Sequence, residues 1–197
     1  MGEDTADSQA GRNHELGRRV LEVVVIYDDL EAAGRAKQSL EALPAGRAPA
    51  PTFSTRLWKV ELLANGFLRE QAAKEAAAAD IILLAVAAVH DLPASVRKWL
   101  QRWSECRTAR PCAFCLLMGP KARRSAEEAA QRAALEHLVR QGGAEFFVGV
   151  CRTPADALIK APPLIPPAAL DRLFRAPRLR HGTGGAQQEP EAGSAFC

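Results

Sequence analysis

Five short apolar runs punctuate this 197-residue chain, and they constrain its fold more than any motif does. The first is "VLEVVVIY", Val20 to Tyr27, rich in β-branched residues, and the second, weaker, is "TFSTRLWKV", Thr52 to Val60. Ile81 to Val89, Ala113 to Met118 and "AEFFVGV", Ala144 to Val150, complete the set. A strand with one wet face alternates apolar and polar residues. A near-continuous apolar run belongs to a strand covered on both faces by helices.

Helical patterns fill the intervals. Asp28-Asp29-Leu30-Glu31 sets an acid at an N-cap with a glutamate three residues on, and Ser125-Ala126-Glu127-Glu128 has the spacing of a capping box. Thr153-Pro154-Ala155-Asp156 places a hydroxyl before a proline at the first helical position. Leu30, Ala33, Leu40 and Leu43 predict one face of the first helix. Val96, Trp99, Leu100 and Trp103 do so for the third, and Ala130, Ala134 and Leu138 for the fourth. The alanine-rich stretch from about Leu62 to Ala79 predicts the second helix.

Strand and helix alternating in this way require right-handed crossovers. The expected architecture is therefore α/β: three layers, with a doubly wound parallel five-stranded sheet in the flavodoxin-like order 2-1-3-4-5. Residues 18–160 form the expected domain. Residues 1–17, polar and without periodicity, read as a disordered tail. Residues 161–197 read as a Pro-rich and low-complexity tail, extended and stiff over "APPLIPPAAL" and mobile from Gly182.

Hydrophobic residues at 48% and charged residues at 25% suit a globular protein, and a formal charge of +3 calls for neither a nucleic-acid nor a membrane partner. The longest apolar run falls well short of the about 20 residues that cross a bilayer. "MGEDTADSQAGRNHELGRR" has no apolar core and does not read as a secretory signal, so a cytoplasmic setting is expected. The five cysteines are odd in number and too sparse for a disulfide scaffold. Cys112 and Cys115 form a CxxC within "PCAFCLLMG", which reads as a buried strand with the two residues on opposite faces. Two small core residues are expected there, with neither a redox pair nor a zinc site.

In a sheet of this order, ligands sit beyond the carboxyl ends of the strands, where the order reverses between the first and third. That rim collects Tyr27, Asp28 and Asp29, then His90 and Asp91, then Gly119, Pro120 and Lys121. Asp28 and Asp29, with Asp91, have the hard oxygens that Mg²⁺ prefers. Capping of the first helix by Asp28 or Asp29 and of the third by Asp91 is enough to account for their presence, and is the favoured reading. His90 titrates near neutrality and can serve as an acid or base, although the sequence sets no nucleophile beside it. In "GPKARRS", Gly119 to Ser125, a glycine and basic residues lead into a capped helix, a setting that attracts phosphate. Neither GxxxxGK[ST] nor GxGxxG spacing is present, and a solvated basic loop is the favoured reading.

The order of elements, the paired acids Asp28 and Asp29, the segment "DIILLAVAAVHDLP" and the stretch "GAEFFVGVCRTPADALIK" together resemble a response-regulator receiver domain over roughly Arg19 to Lys160. The resemblance implies that Asp28 and Asp29 correspond to the metal-binding acids. It also implies that Ala85 stands at the phosphoacceptor place. Leu117, Met118 or Gly119 stands where receivers carry a switch Ser/Thr, and Gly149 or Val150 where they carry a lysine. The connection between the first two strands is longer than in a usual receiver and includes "LPAGRAPAPT". Phosphoryl transfer needs a nucleophile and cations, so aspartyl-phosphate signalling is not expected.

Two functions follow. The first is a non-catalytic receiver-like module that binds a protein partner in bacterial signalling or regulation. The second is a small enzyme or ligand-binding domain for a phosphorylated or nucleotide-like metabolite, with Asp28, Asp29, His90, Asp91 and Lys121 lining its crevice. "LDRLFRAPRLRHG", Leu170 to Gly182, mixes apolar residues with arginines and could meet an acidic partner, a nucleic acid or a membrane surface. A short solvated helix packing Leu170, Leu173 and Phe174 on the domain is the favoured account. Oligomeric state is not written in the sequence.

Overall fold

The structure, a computed structural model, describes residues 20–43, 52–89, 92–120, 125–150 and 163–176. The five apolar runs are five strands: β1 (Val20–Tyr27), β2 (Thr52–Lys59), β3 (Ile81–Val86), β4 (Ala113–Met118) and β5 (Glu145–Val150). They form one parallel sheet in the order β2-β1-β3-β4-β5, the flavodoxin-like arrangement. Among the described residues five helices flank it: α1 (Leu30–Ala42), α2 (Gly66–Ala78), α3 (Ala94–Cys106), α4 (Ala126–Gln141) and α5 (Pro167–Arg175). A 3-10 turn, Val60–Ala64, joins β2 to α2.

The sheet divides the interior into two cores. Because successive strand residues point to opposite faces, Ile82 and Leu84 of β3 join the core beneath α2, α3 and α4, whereas Ile81, Leu83 and Ala85 join the one beneath α1 and α5. Every residue of β3 and β4 is buried, which is why these two runs show no alternation. In the first core, rings pass a continuous contact from helix to sheet: Trp99 stacks on Trp103 at 6.5 Å, Trp103 meets Phe114 at 5.7 Å, and Phe114 meets Phe146 at 6.1 Å. The stripe Val96, Trp99, Leu100 and Trp103 is thus wholly interior. Asp80, buried just before β3, fastens the opposite end of the sheet. Its carboxylate accepts from the N–H of Glu22 at 3.0 Å and from Arg110 Nη2 at 3.1 Å.

Two helix faces differ from expectation. In α1, Leu30 is 83% exposed and Ala33 half-buried; Ala32, Ala36, Leu40 and Leu43 make the buried stripe. Leu30 opens the helix, before the first turn reaches the sheet, and small alanines let the axis lie close to the strands. In α4, Ala130 and Ala134 are exposed, and the inward face is Glu128, Leu135 and Val139, turned by one residue. The capping box is present in part: Ser125 Oγ accepts from the Glu128 N–H at 3.1 Å. The Glu128 carboxylate, however, reaches across to accept from the Val89 N–H at 2.9 Å.

The expected boundary at Lys160 falls short. Pro167 to Ala169, foreseen as extended, is the first turn of α5, and Ile165, Leu170 and Leu173 are buried in the core shared with α1. Proline at a first helical position is compatible with a helix because its missing N–H would have no partner there. Phe174 packs against the same core, as the short-helix reading expected. The expected tails, the insertion between β1 and β2 and the Thr153-Pro154 helix start lie wholly or largely outside the described residues. Among the described residues, no helix is long and apolar enough to cross a membrane.

Candidate functional site

The rim at the carboxyl ends of β1, β3 and β4 is built from residues whose roles are set by the backbone. Asp28 follows β1. Its N–H donates to the Ala85 carbonyl at 3.3 Å, extending the β1–β3 ladder beyond the Tyr27–Ala85 pair. One carboxylate oxygen, Oδ2, accepts from the Ala87 N–H at 2.6 Å, and the other, Oδ1, accepts from the Asp29 N–H at 2.8 Å. The Asp28 side chain therefore ties the loop after β3 to the loop after β1. Asp29 caps α1, with Oδ1 accepting from the Ala32 N–H at 2.7 Å, as the capping reading requires.

The two acids of the pair are thus turned to separate backbone donors. No three His, Cys, Asp or Glu side chains come together as metal ligands among the described residues. His90, Asp91 and Lys121, the other residues expected to line the crevice, lie outside the described residues. Gly119 does reach the rim, its N–H bonded to the Val86 carbonyl at 2.9 Å. Ala85 is completely buried, between β1 and β4 in the sheet. Its methyl group offers no nucleophile and no acceptor.

A residue that the sequence did not single out completes the rim. Arg35, on α1, is only 12% exposed. Its Nη1 meets Glu31 Oε1 at 3.0 Å, while Nε and Nη2 are buried without an acceptor among the described residues. Gly119 lies beside it: a Cβ on this glycine would stand 3.6 Å from Arg35 Nη2 and 3.2 Å from the Ala87 carbonyl oxygen. In the sequence Arg35 falls within "EAAGRAKQ", where an arginine reads as a solvated surface cation.

The chain is similar to a solved structure, that of the Trp repressor binding protein from Bacillus subtilis, with a TM-score of 0.38 and 11% identity over 69% of this chain and 88% of that one. No protein-family model and no curated protein matches the sequence.

The cysteine pair does not form a second site. Cys115 belongs to the core under α1 and α5, and Cys112, just before β4, to the core under α2, α3 and α4. Burial pushes the Cys112 thiol up to about 12 and raises that of Cys115 as well. Both side chains are neutral, unreactive core residues.

A second concave region, of about 620 Å³, opens at the amino ends of β4 and β5. Its arginines are already engaged. Arg110 pairs with Asp80, Arg172 grips Glu145 through two hydrogen bonds, and Arg107 donates to the carbonyls of Gly142 and Arg110 while lying 5.6 Å from the Trp103 ring centroid. These contacts hold the ends of α3, α4 and α5 on the sheet.

Proposed function

We propose that this chain is a non-catalytic, receiver-like module that binds a protein partner in a signalling or regulatory role, in a cytoplasmic setting. The observation that carries the reading is the fate of the acidic pair. Asp28 is occupied in clamping the loop after β3, Asp29 caps α1, and the neighbouring position on β3 is the buried methyl of Ala85. A rim so arranged keeps the shape of a phosphorylation switch while lacking its reacting group.

The surface supports binding by contact. Leu57 on β2 is 60% exposed, Phe67 at the start of α2 is 77% exposed, and Leu62 lies on the turn between them. Large apolar side chains gathered within one short stretch of surface chain favour a docking role over a solvated one. β2 is also an edge strand of the sheet, and among the described residues no strand pairs with its outer border, along which a partner can lie.

Incubation with acetyl phosphate and Mg²⁺, followed by intact-mass measurement, tests the reading. The expected product is unmodified protein, and a stable phosphoprotein overturns it. A partner retained by the wild-type chain should be lost by the L57S/F67S double variant at unchanged melting temperature. Equal retention by both counts against this surface.

A further inference from the structure

The structure assigns to Arg35 an oxyanion-binding role at the rim between β1, β3 and β4: its Nε–Nη2 edge is a receptor for the phosphate or carboxylate group of a small ligand. This goes beyond the partner-binding reading and stands independently of it.

The argument rests on which two nitrogens are free. Nε–H and Nη2–H point in parallel from one side of the guanidinium, and together they form a fork matched to two oxygens of one anion. The same chain shows that fork filled twice. Arg102 presents Nε and Nη2 to the two oxygens of Glu70 at 2.5 and 2.7 Å, and Arg172 does so to Glu145 at 3.0 and 2.5 Å. Those two pairs are exposed enough for water to replace the carboxylate. Arg35 is the most buried of the three, yet its fork has no acceptor among the described residues. Buried donors are nearly always satisfied, and a charged one left without acceptors is costly. The Glu31 contact does not meet that need, because it uses Nη1 and leaves the fork untouched.

Position and shape agree. The fork lies at the carboxyl rim of the sheet, beside Gly119, which follows β4, and close to Ala87, which follows β3; ligands of this sheet type sit along that rim. Gly119 keeps the space beside Nη2 clear of a side chain. The neighbouring carboxylates are turned elsewhere: Asp28 and Asp29 accept from backbone N–H groups and Glu31 meets Nη1, so none of them occupies the Nε–Nη2 edge.

The test uses the full chain, titrated with sodium phosphate, sulfate and acetate against sodium chloride at matched ionic strength. Two readouts are followed: the melting temperature by circular dichroism, and the Arg35 Nε–H resonance in ¹H–¹⁵N spectra, assigned by its loss in R35K. Phosphate or acetate should raise the melting temperature and shift that resonance; whichever acts at lower concentration identifies the phosphate or the carboxylate source. Arg35→Lys keeps the charge but not the fork and should weaken binding about tenfold, the equivalent of one lost charge-assisted bond. Arg35→Met should abolish the response; if that variant does not fold, Arg35→Lys carries the comparison. The proposal is overturned if no anion acts beyond chloride, if R35K binds as tightly as wild type, or if shifts occur only at other arginines. The first outcome would mean that internal water satisfies the fork.

Discussion

The carboxylate of Asp28 and the backbone N–H of Ala87 meet at 2.6 Å, joining the loops that follow β1 and β3 across 59 positions of chain. Removing the acceptor in Asp28→Ala leaves the exposed donors of Ala87 and Asp29 to water. The expected loss is about 0.5–1.5 kcal/mol in urea unfolding. Asp28→Asn retains one carbonyl oxygen and should lose less. Equal stability of Asp28→Ala and wild type would show that the bond contributes nothing.

Asp80 sits at the other end of the sheet, 1% exposed and bonded to Arg110. Truncating one member of a buried ion pair strands the other, so Asp80→Ala should cost about 3–5 kcal/mol. Asp80→Asn, which still accepts hydrogen bonds, should fall between that variant and wild type.

Two glycines are required by their neighbours. A Cβ on Gly142 would stand 2.8 Å from Trp103 Cζ3, in a ring that is fully buried and cannot yield, so Gly142→Ala should cost about 1–3 kcal/mol by overpacking. On Gly149 it would stand 2.7 Å from Leu164 Cδ1 and 2.9 Å from Leu117 Cδ2. Leu164 is half-buried and can be shortened. The G149A/L164A double variant should therefore be more stable than the sum of the single losses predicts, by about 0.5 kcal/mol or more. Additive losses would show that Leu164 is not the obstacle.

Thiol labelling separates the described cysteines. Cys106 is half-buried and should react with a disulfide reagent in the native state, whereas Cys112 and Cys115 should react only as fast as the protein opens. The pH dependence follows from the raised thiol of Cys112. Its proton is held more tightly in the folded chain, at about 12, than in the unfolded one, whose thiols follow the ordinary value of 9.0. The associated stability is complete below pH 9 and is lost as the pH rises toward 12. Cys112→Ala should flatten the alkaline limb of the stability profile.

Truncation after Lys160 removes Ile165, Leu170 and Leu173 from the core shared with α1. At about 1.5–3 kcal/mol per buried aliphatic side chain, the loss is on the order of 5 kcal/mol. The shortened chain should melt at a clearly lower temperature. An unchanged melting temperature would show that α5 does not dock.

The strands were legible because a covered parallel sheet demands unbroken apolar residues, and β1 and β4 begin and end where their runs do. β2 read weakly for the converse reason: as an edge strand it is largely exposed, and its sequence "TFSTRLWK" has no reason to be uniformly apolar. The alanine-rich faces of α1 and α4 are poorly encoded, since alanine is equally at home inside or outside and carries little directional signal. Trp99 and Trp103 mark one face of α3, which the sequence leaves readable as core, the favoured reading, or as a contact surface; both rings are buried. Among the site residues, the Asp29 cap could be anticipated from spacing, whereas the acid cap expected for α3 is replaced by Pro93, which offers no side-chain acceptor. The Asp28–Ala87 bond, the inward turn of Glu128 and the burial of Arg35 depend on which loops the sheet order brings side by side, and no local pattern encodes that.

The partition of the interior into two cores has an optical consequence. Trp58, Trp99 and Trp103, all the tryptophans of the chain, border the layer of α2, α3 and α4. Tryptophan emission therefore watches one side of the sheet and does not report on α1 and α5. A probe placed at Phe53 or Phe174 would give the other side its own signal, and any lag between the two colours would reveal whether the halves come apart together.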